Sequence, residues 1–193
     1  MIEYIGGTVH KLTPTYAIID NAGIGYCIHI SVYTCEQLKQ NSKATLLVHE
    51  IIREDAHELY GFFDETERAM FRMLLSVSGV GANTARVILS KLSSNEVATA
   101  IALGNVQILQ AVKGIGGKTA QRIIVDLKDK VTSIANGNQF FDSQGNTLAQ
   151  EALSALLMLG FAKNSVEKIV QSIVAEQPSV SVEDIVKIAL KRL

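Results

Sequence analysis

The sequence is poor in the residues that carry most small-protein chemistry. Among its 193 residues are two cysteines, Cys27 and Cys35. They match no metal-ligand spacing and no disulfide framework, which excludes a zinc module and a disulfide-stapled secreted domain. Both are expected to be reduced thiols, buried in a cytoplasmic protein. The four histidines, His10, His29, His49 and His57, are scattered and read as strand or surface residues. No apolar run approaches 18 residues, so no membrane-spanning helix is expected, and no basic-then-apolar leader opens the chain. Net charge is only −1, which argues against a generic polyanion binder. There is no Gly-x-Ser-x-Gly elbow. Gly117-Lys118-Thr119 copies the end of the nucleotide-binding loop G-x-x-x-x-G-K-[ST]. Val112 stands where that loop needs its first Gly, and a helical rather than a strand pattern precedes it. A nucleotide-hydrolysing site is set aside, and neither cofactor nor metal is expected.

What the chain does contain is a phrase written twice. Residues 79–86 read GVGANTAR and residues 114–122 read GIGGKTAQR, 35 positions apart. The repeat extends outwards. Phe71, Leu74 and Val77 precede the first copy as Val106, Leu109 and Val112 precede the second. Ala85, Ile88, Leu89 and Leu92 follow as Ala120, Ile123, Ile124 and Leu127 do. Both sets keep the 3–4 spacing of one helix face. The unit is helix, Gly hairpin, helix, duplicated. Ser93 with Glu96 predicts a capping box, and Gly104 a helix stop, for a connecting helix between the units.

Composition divides the chain into segments. Residues 1–63 read as short strands, Met1–Leu12, Tyr16–Asp20, Gly25–Val32, Ala44–Ile52 and Glu58–Phe62, with one helical insert at Thr34–Gln40. Five strands and one helix fit an OB-type barrel. Residues 64–131 hold the duplicated helices. Residues 132–147, TSIANGNQFFDSQGNT, are polar and aperiodic and read as a flexible linker in which Phe140 and Phe141 are out of character. Residues 148–193 predict three short helices, opened by Thr147 with Gln150, by Asn164, and by Ser181 with Asp184. The fold class is multi-domain α+β. Charge follows the division. Residues 1–63 carry 4 Lys/Arg against 7 Asp/Glu, residues 64–131 carry 9 against 6, and residues 132–193 carry 5 against 6. The basic excess falls on the segment with the repeated phrase.

Gly, branched residue, Gly permits a turn that other residues make only with strain. The central Val80 or Ile115 is expected to face inward and anchor the turn. The glycines let a ligand approach the backbone. The helix that begins at once offers free N–H groups and the positive end of its dipole, an anion site for which phosphate is the usual occupant. Thr84 and Thr119 add hydroxyls, and Lys118 and Arg122 add charge at the second copy. Two such sites at fixed separation suit a polymer with repeating phosphates.

The duplicated phrase resembles the helix-hairpin-helix DNA-binding motif. The barrel opening MIEYIGG, the stretch REDAHELYGF at 53–62, the tandem hairpins, the polar linker and the small terminal bundle together resemble the RuvA family. These are bacterial Holliday-junction-binding subunits, and the resemblance spans essentially the whole chain. It implies a homotetramer, two of which can sandwich a four-way junction as an octamer and hold it open and square. It implies an acidic pin at the junction centre, matched here by Glu54 and Asp55, with Arg53 beside it near the crossover. Phosphate-binding amides would come from Gly79–Gly81 and Gly114–Gly116. The C-terminal bundle would bind RuvB, a hexameric ATPase motor that alone uses ATP, with RuvC resolvase in the same complex, in recombination, repair and the SOS response. Leu156, Leu159, Gly160 and Phe161 are the residues of the bundle placed against that partner. The chain departs from the family at two places. Ala82-Asn83 replaces a frequent Pro-Lys pair, so the first hairpin relies on amides, Asn83, Thr84 and Arg86. Gly117 replaces a frequent Lys.

Two other function classes are weighed. A helix-hairpin-helix nuclease or glycosylase needs a carboxylate cluster or a catalytic Asp/Lys beside the hairpin, and no convincing set is found. A scaffold using the barrel for protein contacts would not bind DNA at all.

Overall fold

The computed structural model describes residues 1–135, 147–176 and 180–193. The chain falls into two compact units that divide between residues 137 and 138.

The first unit opens with five strands: β1 (Tyr4–Leu12), β2 (Tyr16–Asn21), β3 (Ile24–Ile30), β4 (Lys43–Ile52) and β5 (His57–Phe62). They close into a barrel of order β1-β2-β3-β5-β4. All pairs are antiparallel except β3 with β5. Alternation decides the lining: Val9, Ala17, Ile19, Ile28, Ile30, Leu46 and Val48 are all fully buried, and their strand neighbours turn outward. The helix α1 (Val32–Gln37) covers one end, two residues earlier than its sequence pattern indicates. Ser31 is the reason: it ends β3 and caps α1 by accepting the Thr34 N–H.

The same alternation corrects the expectation for the cysteines. Cys27 lies on β3 between the inward Ile28 and the half-buried Tyr26, and it is exposed; Cys35 is half-buried.

Helices α2 (Glu65–Leu75), α3 (Ala82–Lys91), α4 (Ser94–Ala102), α5 (Val106–Gln110) and α6 (Gly117–Ala135) complete the unit. The residues of the repeat form its core. Phe71, Leu74, Val77, Ala85, Ile88, Leu109, Val112, Ala120, Ile123 and Leu127 are each at most 1% exposed. Ser93 and Glu96 make the capping box in full, and Gly104 (φ +68) follows α4. The barrel and the helices share this core. Phe71 stacks against Tyr60 and Phe62 at ring distances of 5.3 and 4.8 Å. Glu67 on α2 is buried and accepts from the hydroxyls of Ser31 and Thr34. The boundary at residue 63 is therefore a change of architecture inside one packed body.

Helix α6 runs to Ala135, into the start of the expected linker. Its remainder, residues 136–146 with Phe140 and Phe141, lies outside the described residues.

The second unit is a three-helix bundle of α7 (Thr147–Met158), α8 (Lys163–Glu176) and α9 (Val182–Arg192). Ala152, Leu156, Val166, Val170, Ile173, Ile185 and Ala189 form its core. Ser181 caps α9 by accepting from the Asp184 N–H. Helix α8 begins one residue before Asn164.

Candidate nucleic-acid interface

The two hairpins are copies in structure as well as in sequence. After α2, the chain turns at Gly79 (φ +91); after α5, it turns at Gly114 (φ +91). This φ lies in the left-handed region, which costs a residue with a side chain on the order of 1–2 kcal/mol. Val80 and Ile115 follow, 5% and 6% exposed, and anchor the turns inward. Their N–H groups donate back to Val77 O (3.0 Å) and Val112 O (3.1 Å). These amides close the turn and are spent, so the middle residue of each phrase offers a ligand neither side chain nor N–H.

The third position differs in kind from the first. Gly81 (φ −86, ψ 169) is the N-cap of α3, without a side-chain cap bond, and its carbonyl accepts from Ala85 N–H at 2.9 Å. Gly116 accepts from Ala120 N–H at 3.0 Å. Neither has a positive φ, and a Cβ added at either would meet no atom within 4 Å. Strain therefore accounts for Gly79 and Gly114 only. At Gly81 and Gly116 neither the fold nor the backbone requires glycine; what their missing side chain leaves is open access to the next amides. Those belong to Ala82, Asn83 and Thr84 on α3, and to Gly117, Lys118 and Thr119 on α6. Each is in a first helical turn, where N–H groups lack an intrahelical acceptor.

The charged residues divide less evenly than the sequence suggests. Lys118 is exposed in the first turn of α6, and Lys113, missed by sequence reasoning, is exposed beside Gly114. Arg86 is committed elsewhere. Its Nη1 donates to the carbonyls of Ile30 (3.2 Å) and Thr15 (3.5 Å) on the barrel, and its Nη2 to Asn83 Oδ1 (2.8 Å). Asn83 is exposed, and with Oδ1 occupied it presents its NH2 group. Arg122 donates to Ser78 in the first hairpin. Lys91 donates to the Ala111 carbonyl. Arg68 is buried between Glu3 and Glu65, and Arg72 lies 3.9 Å from Glu3. Five of the nine cations of residues 64–131 thus hold the protein together.

A Cβ on Gly117 would stand 2.8 Å from Gln110 Nε2. The end of that flexible side chain fills the place where a longer residue would project.

Glu54 and Asp55 lie at the exposed tip of the β4–β5 hairpin, in a turn closed by Arg53 N–H to Ala56 O at 2.8 Å. Arg53 faces Glu58 at 3.4 Å, an exposed pair worth little. Below the tip, His57 Nε2 meets Glu50 Oε1 at 2.7 Å. That bond, with the Ile2 N–H and the positive charge of the N-terminus, holds the Glu50 carboxyl below its ordinary range despite some burial.

In the second unit, Leu156 is fully buried and belongs to the core, which removes it from the exposed contact set. Leu159 (61%) and Phe161 are exposed around Gly160 (φ +93). Met158, at 90%, is more exposed than either, with Leu157 beside it.

Among the described residues, no group of three or more His, Cys, Asp or Glu could hold a metal ion, and no helix is long and apolar enough to cross a membrane.

Three family models match the chain: the RuvA N terminal domain over residues 1–61, the SAM-like helix-hairpin-helix tandem over 71–129, and the RuvA C-terminal domain over 147–193. Similar curated proteins include one from Christiangramia forsetii, 47% identical over 193 residues, and one from Bacteroides thetaiotaomicron, 45% identical over 201 residues. A third, from Porphyromonas gingivalis, is 46% identical over 202 residues. Each comparison covers all of both chains, and each relative is named Holliday junction branch migration complex subunit RuvA.

Proposed function

The chain belongs to the RuvA family, and from that premise we propose that it binds four-way junction DNA by structure and serves branch migration in recombination and repair. It does so as a non-catalytic subunit. Four copies surround one junction and hold it open and square, and the terminal bundle recruits the RuvB motor.

The observation that supports this most directly is the pair of open glycines, Gly81 and Gly116. Two first-turn amide sets, each reached over a residue without a side chain, recur at a 35-residue offset in the same conformation. Such a pair reads phosphates and carries no base-reading helix, so its contacts position DNA without specifying sequence. Glu54 and Asp55 act in the opposite sense. Carboxylates at an exposed tip repel phosphate only where DNA is forced close, which is the role of a pin at the centre of a junction. The exposed apolar group Met158, Leu159 and Phe161 is the surface offered to the motor.

A gel shift comparing a four-way junction with linear duplex of the same sequence tests the proposal. Binding should favour the junction, with little sequence preference, and weaken steeply with salt. Equal affinity for both at moderate salt rejects it.

A further inference from the structure

Arg122 lies in the second repeat but reaches the first. It stands four residues after Lys118, and its place in the sequence assigns it to the second hairpin. Its Nη1 donates instead to the main-chain O of Ser78 at 3.1 Å and to Ser78 Oγ at 3.3 Å. The same nitrogen lies 3.9 Å from where a Cβ on Gly79 would be. Ser78 and Gly79 begin the first hairpin. A second brace runs the other way. Lys91, the last residue of α3, donates to the carbonyl of Ala111, which caps α5 just before the second hairpin. Each repeat thus grips the start of the other's hairpin through a cation on a main-chain carbonyl. The grips are not products of the duplication, because the 35-residue offset pairs Arg122 with Val87 and Lys91 with Asp126.

We propose that Arg122 is a positioning residue for the first hairpin, setting the separation of the two hairpins and hence the phosphate spacing that the pair accepts. The proposal rests on the phosphate-binding reading of the hairpins above. A guanidinium is well suited to this role, because it is always charged and the two N–H groups of Nη1 can hold a carbonyl and a hydroxyl together. Releasing it frees the start of the hairpin to drift, and two sites that must engage one DNA at once lose their match.

The test is a set of double-mutant cycles read by four-way-junction affinity at one salt concentration. Arg122→Met is measured in the parent chain, in Gly81→Val and in Gly116→Val, two positions where an added Cβ meets no atom within 4 Å. In the parent it should weaken binding by about fivefold to tenfold, the size of one ordinary hydrogen bond lost. That loss should vanish in Gly81→Val and in Gly116→Val alike, because a spacing matters only while both hairpins engage the DNA. Arg122→Lys, which keeps the charge on a shorter stem without the guanidinium plane, should weaken binding nearly as much as Arg122→Met. Without DNA, Arg122→Met should speed hydrogen exchange of the Val80 amide by a similar factor and leave the Ile115 amide unchanged. A loss that persists in Gly81→Val and vanishes in Gly116→Val makes Arg122 a phosphate ligand of the second hairpin and overturns the proposal. So does unchanged exchange at Val80. Should Gly81→Val and Gly116→Val themselves bind the junction like the parent, the phosphate reading fails, and the exchange measurement alone decides whether Arg122 holds the first hairpin.

Discussion

Within one Gly-x-Gly phrase the two glycines do different jobs, and single substitutions separate them. Gly114 has φ +91, so Gly114→Ala should cost on the order of 1–2 kcal/mol in urea unfolding. Gly116→Ala meets neither strain nor a neighbour. It should leave stability within about 0.5 kcal/mol while weakening junction binding. Unaltered binding by a folded Gly116→Ala would mean that open access to the amides is irrelevant. Asn83 and Lys118 form a second contrast, since they occupy the same place in the two repeats. Asn83 offers a neutral NH2 and Lys118 a charge. Asn83→Lys should therefore steepen the dependence of log affinity on log salt by about 0.9 per protein copy engaged, and Lys118→Ala should flatten it as much. Equal slopes in all three proteins would place both residues away from phosphate.

Between elements, the join of α2 to the barrel is the most unusual, because it buries an acid. Glu67 accepts from Ser31 Oγ, from Thr34 Oγ1 at 2.6 Å and from Phe63 N–H at 3.4 Å. Burial pushes its carboxyl above the ordinary range, outweighing those bonds, which favour the anion. Relative to the unfolded chain, the folded protein therefore favours the protonated acid. The contribution to stability is complete below the ordinary value of 4.5 and is lost as pH rises through the raised one. Gln mimics the protonated state. Glu67→Gln should match the parent near pH 4 in urea unfolding and exceed it at pH 7; a variant that falls behind as pH rises contradicts the assignment. The β4–β5 hairpin carries the other acidic feature at element scale. Glu54 and Asp55 are exposed at its tip, and in a four-fold assembly four copies would act within roughly a Debye length, about 8 Å at physiological salt. Glu54→Gln with Asp55→Asn should keep or tighten junction binding and lower the junction-to-duplex affinity ratio, because duplex then crosses the centre without repulsion. An unchanged or higher ratio at fixed salt makes the pair an ordinary solvated turn.

Taken whole, the molecule forms two units, to which the proposed function assigns two roles. Residues 1–137 hold the barrel and both hairpins around shared aromatic packing, and residues 138–193 hold a bundle with its own core. A chain ending before Thr147 should bind junction DNA like the parent and fail to support RuvB-driven branch migration. Full motor stimulation by the shortened chain would move the partner surface into the first unit. Charge also takes its meaning at this scale. The basic excess of residues 64–131 resembles a DNA-facing patch in the sequence, yet Arg68, Arg72, Arg86, Lys91 and Arg122 bond within the protein. On the proposed function, phosphate binding then leans on amide dipoles more than on side-chain charge.

The features legible in the sequence are the ones that local physics encodes. Periods of two and 3.6 residues identified the strands of the barrel and the paired helices, since burying one face imposes those spacings. The 35-residue echo placed Val80 and Ile115 as inward anchors, and Ser93 with Glu96 as a capping box, because each depends on residues a few positions apart. Tertiary structure decided what depends on chain segments distant in sequence. It took Arg86 to the carbonyls of Thr15 and Ile30, 71 and 56 residues away, and Arg122 to Ser78, 44 residues away. It buried Leu156, exposed Cys27, and showed that the second glycine of each phrase is unconstrained from within. A cation in a sequence has a charge but no partner. Whether it meets DNA or a carbonyl is settled only when folding brings the carbonyl within about 3 Å, at a cost in desolvation that the pairing offsets.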